Sequence, residues 1–210
     1  MGHRGNEANP EIYKRVRAYF PEKRRTAIDC GAYHGEWSRM MAADFAVVHA
    51  FDIRPESVEH MRKDLPYNVI PHVAGLGARA EVLPFRLRFG KYAQLEGREN
   101  EEPDWPLEHH WVGPLDDYNF RDVDFIKIDV DGCEKILLDG ALETIAHWQP
   151  VICIETKLMK HADHKRMLDL LQYHQIDRVS AIDEVWLPRL VDEWYARAST
   201  SDARAGDRAS

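Results

Sequence analysis

The chain has 210 residues, 44% of them hydrophobic and 30% charged, with a formal net charge of −8. That length supports one good core and does not require two domains. The acidic balance argues against binding nucleic acid through overall charge. No apolar run approaches 18 residues, so no membrane span is expected.

Three cysteines, Cys30, Cys133 and Cys153, show no C-x-x-C spacing. Neither a disulfide framework nor a structural zinc site is expected, and a reduced cytoplasmic setting suits them. The opening "MGHRGNEANP" has no apolar segment, so no secretory signal is expected. Asn6 stands where a myristoylation motif requires Ser or Thr.

In chain order, residues 1–24 read as a leader with a helix over Glu11–Phe20, opened by Pro10 and closed by Pro21. The basic run from Lys14 to Arg25 reads as a solvated face flanking the core. "RTAIDC" is a short buried strand, and a helix follows over Gly35–Ala43. Phe45–Asp52 is a second strand, and Pro55 opens a helix running to Leu65. "NVIPHVAGL" is a third strand, with Pro71 pointing to a sheet edge or an irregularity. Glu81–Phe89 alternates as an added strand, after which periodicity is lost.

Residues 90–113 are therefore expected to be a long loop, with an acidic part (Glu96–Asp104) and then Trp105, His109, His110 and Trp111. Deleting 96–111 is expected to spare cofactor binding and abolish turnover. Val123–Gly132 restores order as a buried strand, followed by one helix over Cys133–His147 and a strand over Pro150–Thr156. An amphipathic helix over 161–173 precedes a terminal strand pair, "IDRVSAI" and "EVWLP". The segment 191–210, disordered from Ala198, completes the expected organisation around a domain at 25–190. Alternating strands and helices predict an α/β fold, doubly wound and mostly parallel, with its ligand site at the carboxyl ends of the strands.

Those ends carry the chemistry. The first strand gives Asp29 with Gly31 and Gly35, the second Asp52, the third Gly75, the fourth Asp129 with Asp131 and Gly132, and the fifth Glu155. The loop "DCGAYHG" has glycines suited to a tight turn and close helix approach, and Asp52 is placed to accept hydrogen bonds from ribose hydroxyls. A dinucleotide would set a pyrophosphate beside Asp29, and the two anions repel. S-adenosylmethionine (SAM) carries adenosine without phosphate and two positive groups, so the loop chemistry favours it over NAD.

"IDCGAYHGEWS", "AFDIRPESVEHMRKDL", "PLDDYNFRDVDFIKIDVDGCEKILLDGA" and "PVICIET" together resemble the FkbM family of SAM-dependent methyltransferases. "KIDVDGCE" is the most specific piece. The resemblance implies a class I methyltransferase (Rossmann-like) fold and methyl transfer to a hydroxyl of a small molecule such as a sugar or natural product. It implies cofactor contacts at Asp29, Gly31, Ala32, Tyr33, Gly35, Asp52, Ile53, Gly75 and Leu76, an acid facing the reaction centre at Asp129, and a second acid at Glu134. Tyr33 stands where the family has Asn, Asp52 where it commonly has Glu, Asp131 where it has Glu, and Arg54 adds a residue before Pro55.

An alcohol acceptor must lose a proton, and Asp129, Glu155, His109 and His110 are the candidate bases. Asp129, Asp131 and Glu155 could hold Mg²⁺, which is not favoured. His161 and His164 read as solvated surface rather than zinc ligands. No nucleic-acid or membrane partner is expected, and oligomeric state is left open. An NAD-binding oxidoreductase on the same sheet and a non-catalytic binding module are the alternative readings.

Overall fold

The computed structural model describes residues 9–88, 92–96, 104–156 and 163–189. Helix α1 (Pro10–Arg17) starts where Asn9 Oδ1 accepts the Glu11 N–H at 2.9 Å and Pro10 fills the first turn. Strand β1 (Thr26–Cys30), helix α2 (Glu36–Ala42), strand β2 (Val47–Asp52), helix α3 (Pro55–Met61) and strand β3 (Val69–Val73) follow. Next come β4 (Gly75–Leu76), β5 (Glu81–Arg88), β6 (Tyr92–Leu95), β7 (Leu107–Gly113), a 3-10 turn at Leu115–Tyr118, and β8 (Val123–Ile128). Helices α4 (Glu134–Asp139) and α5 (Leu142–Trp148) lead to β9 (Val151–Glu155), α6 (Asp163–Leu170), β10 (Tyr173–Arg178) and β11 (Asp183–Pro188).

Seven strands form one sheet in the order β10-β11-β9-β8-β1-β2-β3. The strands from β9 to β3 are parallel, and β11 runs antiparallel to both β9 and β10. The expected doubly wound, mostly parallel sheet with a terminal antiparallel element is the observed architecture. Every residue of β8 and β9 is buried, as expected for parallel strands covered on both faces. Alternate residues feed opposite layers: Ala27 and Phe125 pack with Val16, Phe20, Met41 and Met61, while Ile28 and Ile126 pack with Leu115, Leu137 and Tyr173. Pro71 lies on the edge strand β3, where its missing N–H costs no ladder bond.

Several expectations change. The 90–113 loop contains β6 and β7, which join β4 and β5 in a second sheet, β4-β7-β5-β6. Cross-strand pairing with β5 organises the "LEHHWVG" stretch, a signal that its own composition does not carry. Deleting 96–111 would therefore remove most of β7 and cannot be a clean excision; most of the acidic part, 97–103, lies outside the described residues. The single helix over 133–147 is two helices. A Cβ on Gly140 would sit 2.0 Å from the Gly77 carbonyl oxygen, and Asp116 receives the Glu143 and Thr144 N–H groups to restart the chain as α5. The terminal hairpin begins earlier than expected, because the Ser180 hydroxyl accepts from Ile182 and Asp183 N–H and makes 179–182 its turn.

His164 is buried rather than solvated. Its ring bonds Glu184 at 3.1 Å, while His161 lies outside the described residues. The basic run near the N-terminus meets acids: Arg17 and Arg24 reach Asp44, Arg25 reaches Asp124 and Asp122, and Arg15 reaches Asp177. Cys30, Cys133 and Cys153 are all buried, and none of them is in a disulfide among the described residues. Among the described residues, no helix is long and apolar enough to cross a membrane. The segment 191–210 lies outside them.

Candidate active site

The chain leaves β1 toward β2 on one side of the sheet and leaves β8 toward β9 on the other. Such a reversal opens a crevice beyond the carboxyl ends of the two strands. A space of about 500 Å³, open to solvent, lies there. Gly31, Ala32, Tyr33, Glu36, Trp37, Lys127, Asp129 and Asp183 line it, with Asn9 and Ile12 from the start of α1.

Pairing of β1 with β8 sets Asp29 beside Lys127. The Lys127 Nζ lies 3.1 Å from Asp129 Oδ2, 3.7 Å from Asp29 Oδ1 and 5.6 Å above the centre of the Trp37 indole. Burial alone would lower the lysine pKa, but the two carboxylates outweigh it and hold the value above the ordinary one. Asp29 is fully buried. Its Oδ2 accepts the Ser38 hydroxyl at 2.6 Å, and Oδ1 has no hydrogen-bond partner among the described residues. Burial raises the Asp29 pKa, against Lys127 and Ser38, which lower it. The charge that made Asp29 conspicuous in sequence is thus answered inside the protein by Lys127.

Gly31 turns the chain across the end of β8. Its φ is +84°, and a Cβ there would lie 1.8 Å from the Asp129 carbonyl oxygen. The loop N–H groups are directed inward. Those of Gly31 and Ala32 donate to Phe51 O at 3.0 and 2.8 Å, that of Tyr33 to Asp52 Oδ2 at 2.9 Å, and that of Gly35 to Ala32 O at 2.7 Å. A phosphate cradle needs these donors free.

Asp52 is buried and closely matched to its surroundings. Besides Tyr33 N–H, it accepts the Arg54 backbone N–H at 2.9 Å, Nε–H at 3.2 Å and Nη2–H at 3.3 Å. The Arg54 guanidinium carbon lies 5.1 Å from the centre of the Tyr33 ring, Tyr33 stacks on His34, and His34 on His60. Burial, then His60 and Arg54, lowers the His34 pKa.

Glu155 ends β9 opposite Asp183 of β11. Burial and then Asp129 push its carboxyl up to about 9. Burial and the neighbouring Asp129 carboxylate, with which it shares a hydrogen bond, favour its protonated form, the opposite of what the expected base requires. Burial also raises Asp183.

The remaining sequence candidates sit apart from the lining of this crevice. His110 lies on β7 against Phe85 and 3.2 Å from Glu108; His109 beside it is exposed. Gly75 and Leu76 form β4, which pairs with Val112 and Gly113, and Ile53 packs with Val112 and Phe85 where the two sheets meet. Leu76 points into the core. Glu134 is buried and accepts the Gly132 N–H at 2.9 Å. Among the described residues, no group of three His, Cys, Asp or Glu is arranged to hold a metal ion.

Sequence reasoning missed Glu36, Trp37, Lys127 and Asp183, and underrated Arg54. A lysine inside the apolar run "VDFIKIDV" was the available signal, because lysine is almost never buried without a partner. Asp183 carries no local signal; only the hairpin register brings it beside Glu155.

Residues 113–176 match the model of the methyltransferase FkbM domain. The match contains "KIDVDGCE" and "PVICIET" and excludes the glycine loop. Among solved structures, the chain is similar to the methyltransferase FkbM of Methylobacillus flagellatus (18% identity, TM-score 0.54, 78% of this chain and 43% of that one). It therefore spans less than half the length of that relative. It is also similar to a precorrin-6y C5,15-methyltransferase of Geobacter metallireducens (10% identity, TM-score 0.52, 89% and 92%). A third likeness is a precorrin-8w decarboxylase of Methanobacterium thermoautotrophicum (15% identity, TM-score 0.50, 87% and 91%). A search of curated proteins gives no match. The resemblance to the FkbM family read from sequence holds, and the fold is that of class I methyltransferases.

Proposed function

We propose that the protein is a SAM-dependent methyltransferase that methylates a hydroxyl of a small molecule. The observation that carries this reading is the make-up of the crevice: Glu36, Asp129 and Asp183 against one cation, Lys127, beside a loop whose Gly31, Ala32, Tyr33 and Gly35 N–H groups are already engaged. Such a site suits a cationic ligand and opposes a pyrophosphate, which weighs against the NAD alternative.

The crevice fits the methionine end of the cofactor. Asp183 and Glu36 offer acidic groups to an ammonium, and Gly31 and Ala32 leave the chain close and bare. The adenosyl end fits less simply, because Asp52 is fully engaged by Tyr33 and Arg54. When bound, the cofactor supplies a methyl group activated by a sulfonium. Lys127 fixes Asp129 in a defined position, and burial with the nearby Asp129 carboxylate favours the protonated form of Glu155 beside it. In this reading Asp129, held by Lys127 at the crevice lining, accepts the proton of an acceptor hydroxyl. His110 has no part in this reading.

Calorimetry with S-adenosylhomocysteine and with NADH tests the cofactor; NADH binding without S-adenosylhomocysteine binding would sink the proposal. Mass spectrometry with deuteromethyl-labelled SAM over a panel of sugars and hydroxylated small molecules tests the reaction. Asp129→Asn should lower turnover about 100-fold or more while changing S-adenosylhomocysteine affinity only a few-fold. Full turnover in that variant would remove Asp129 from the chemistry.

A further inference from the structure

An ionised carboxylate offers about four lone-pair positions. Asp52 meets four donors, two from backbone (Tyr33 and Arg54 N–H) and two from the Arg54 guanidinium. The backbone donors are fixed by the chain. The guanidinium donors are not, and they equal in number the two O–H groups of a ribose cis-diol.

The guanidinium is an imperfect fit. Arg54 is 4% exposed, yet its Nη1 has no hydrogen-bond partner among the described residues. Its Nε and Nη2 bonds, at 3.2 and 3.3 Å, are long for charge-assisted contacts. It is covered by the Tyr33 ring, which in turn stacks on His34, and Tyr33 itself has a φ of +50°. Both Tyr33 and Arg54 are departures from the FkbM pattern noted in the sequence.

We infer that the Arg54 side chain is an intramolecular occupant of the ribose subsite, donating to Asp52 from the positions that the two hydroxyls of an adenosyl ligand take, and that it must leave Asp52 for such a ligand to bind. The inference rests on the cofactor reading above and adds a determinant of affinity: Arg54 weakens adenosyl binding by competing for one carboxylate. A diol replaces the guanidinium only by paying for the broken ion pair, so removing the guanidinium relieves that cost.

The test is calorimetry on the full chain, as wild type, Arg54→Ala and Arg54→Met, with circular dichroism confirming the fold. The probes are S-adenosylhomocysteine and its analogue lacking both ribose hydroxyls. Both variants should bind S-adenosylhomocysteine about tenfold tighter or more, a change that one lost competing interaction supports. The analogue should show no such gain. Equal or weaker S-adenosylhomocysteine binding by the folded variants overturns the inference, as does an equal gain for the analogue. Should the variants not fold, the wild type still decides. Hydrogen exchange at the Arg54 Nε, followed by nitrogen-15 NMR, must accelerate when S-adenosylhomocysteine is added, and an unchanged rate overturns the inference. Absence of S-adenosylhomocysteine binding in every protein removes the cofactor reading and this inference together. Binding by wild type without a gain in the variants removes only the role of Arg54.

Discussion

Two neighbouring parallel strands, β1 and β2, each present an aspartate near their carboxyl ends, and the protein treats the two differently. Asp29 is fully buried and receives a cation from the next strand, Lys127, which it shares with Asp129; one of its oxygens has no hydrogen-bond partner among the described residues. Asp52 receives a cation from two residues along its own chain, Arg54, and both its oxygens are fully bonded. The first carboxylate is therefore a fixed part of the frame that orients Asp129. The second is held by a side chain that lies beyond the end of β2 and takes no part in the sheet's strand pairing. A charge at a strand end says little until its partner, and the partner's freedom, are known.

The comparison predicts graded losses. Lys127→Met should have the largest effect, because it strands two carboxylates, one of them fully buried; a loss of about 3–5 kcal/mol of stability is expected in urea unfolding. A loss under about 1 kcal/mol would show that Asp29 is protonated and never needed the cation. Gly31→Ala should cost roughly 3 kcal/mol, since the added methyl collides with the Asp129 carbonyl and the backbone sits at φ +84°. Retained stability there would mean that β1 and β8 can separate.

Arg54→Ala should cost less, about 2 kcal/mol, because Asp52 keeps two backbone donors. If it costs as much as Lys127→Met, the contrast between the two ends disappears. Glu155→Gln probes the proton beside Asp129. The Glu155 pKa in the fold, about 9, exceeds its ordinary value of 4.5. Its contribution to stability is thus complete below about pH 4.5 and is lost as pH rises toward 9. The variant should unfold with a flatter pH dependence between pH 5 and 9 and gain about 1–2 kcal/mol near pH 8. Parallel profiles for the two proteins would mean that Glu155 is ionised throughout. Trp111→Ala, in the second sheet and 46% exposed, should change S-adenosylhomocysteine affinity least, by less than about twofold. A large loss would bring β7 into the cofactor site.

The sequence by itself determined the alternation of strands and helices, the restriction of Pro71 to an edge or an irregular position, and the set of acids and glycines at strand ends. Those are local matters: buried runs, turn-forming glycines and the bar on proline in a central ladder act through neighbours in the chain. It could not determine that the "LEHHWVG" stretch is a strand, because that depends on pairing with β5 some 25 residues earlier. Nor could it determine the state of its carboxylates. Lys127 reaches Asp29 only through the β1–β8 register, Asp183 meets Glu155 only through the antiparallel insertion of β11, and burial at those contacts sets which groups keep a proton. Residue types were legible because chemistry is carried by side chains. Their charges were decided by the tertiary structure, because electrostatic energy depends on distance and solvent exclusion, neither of which is written along a chain.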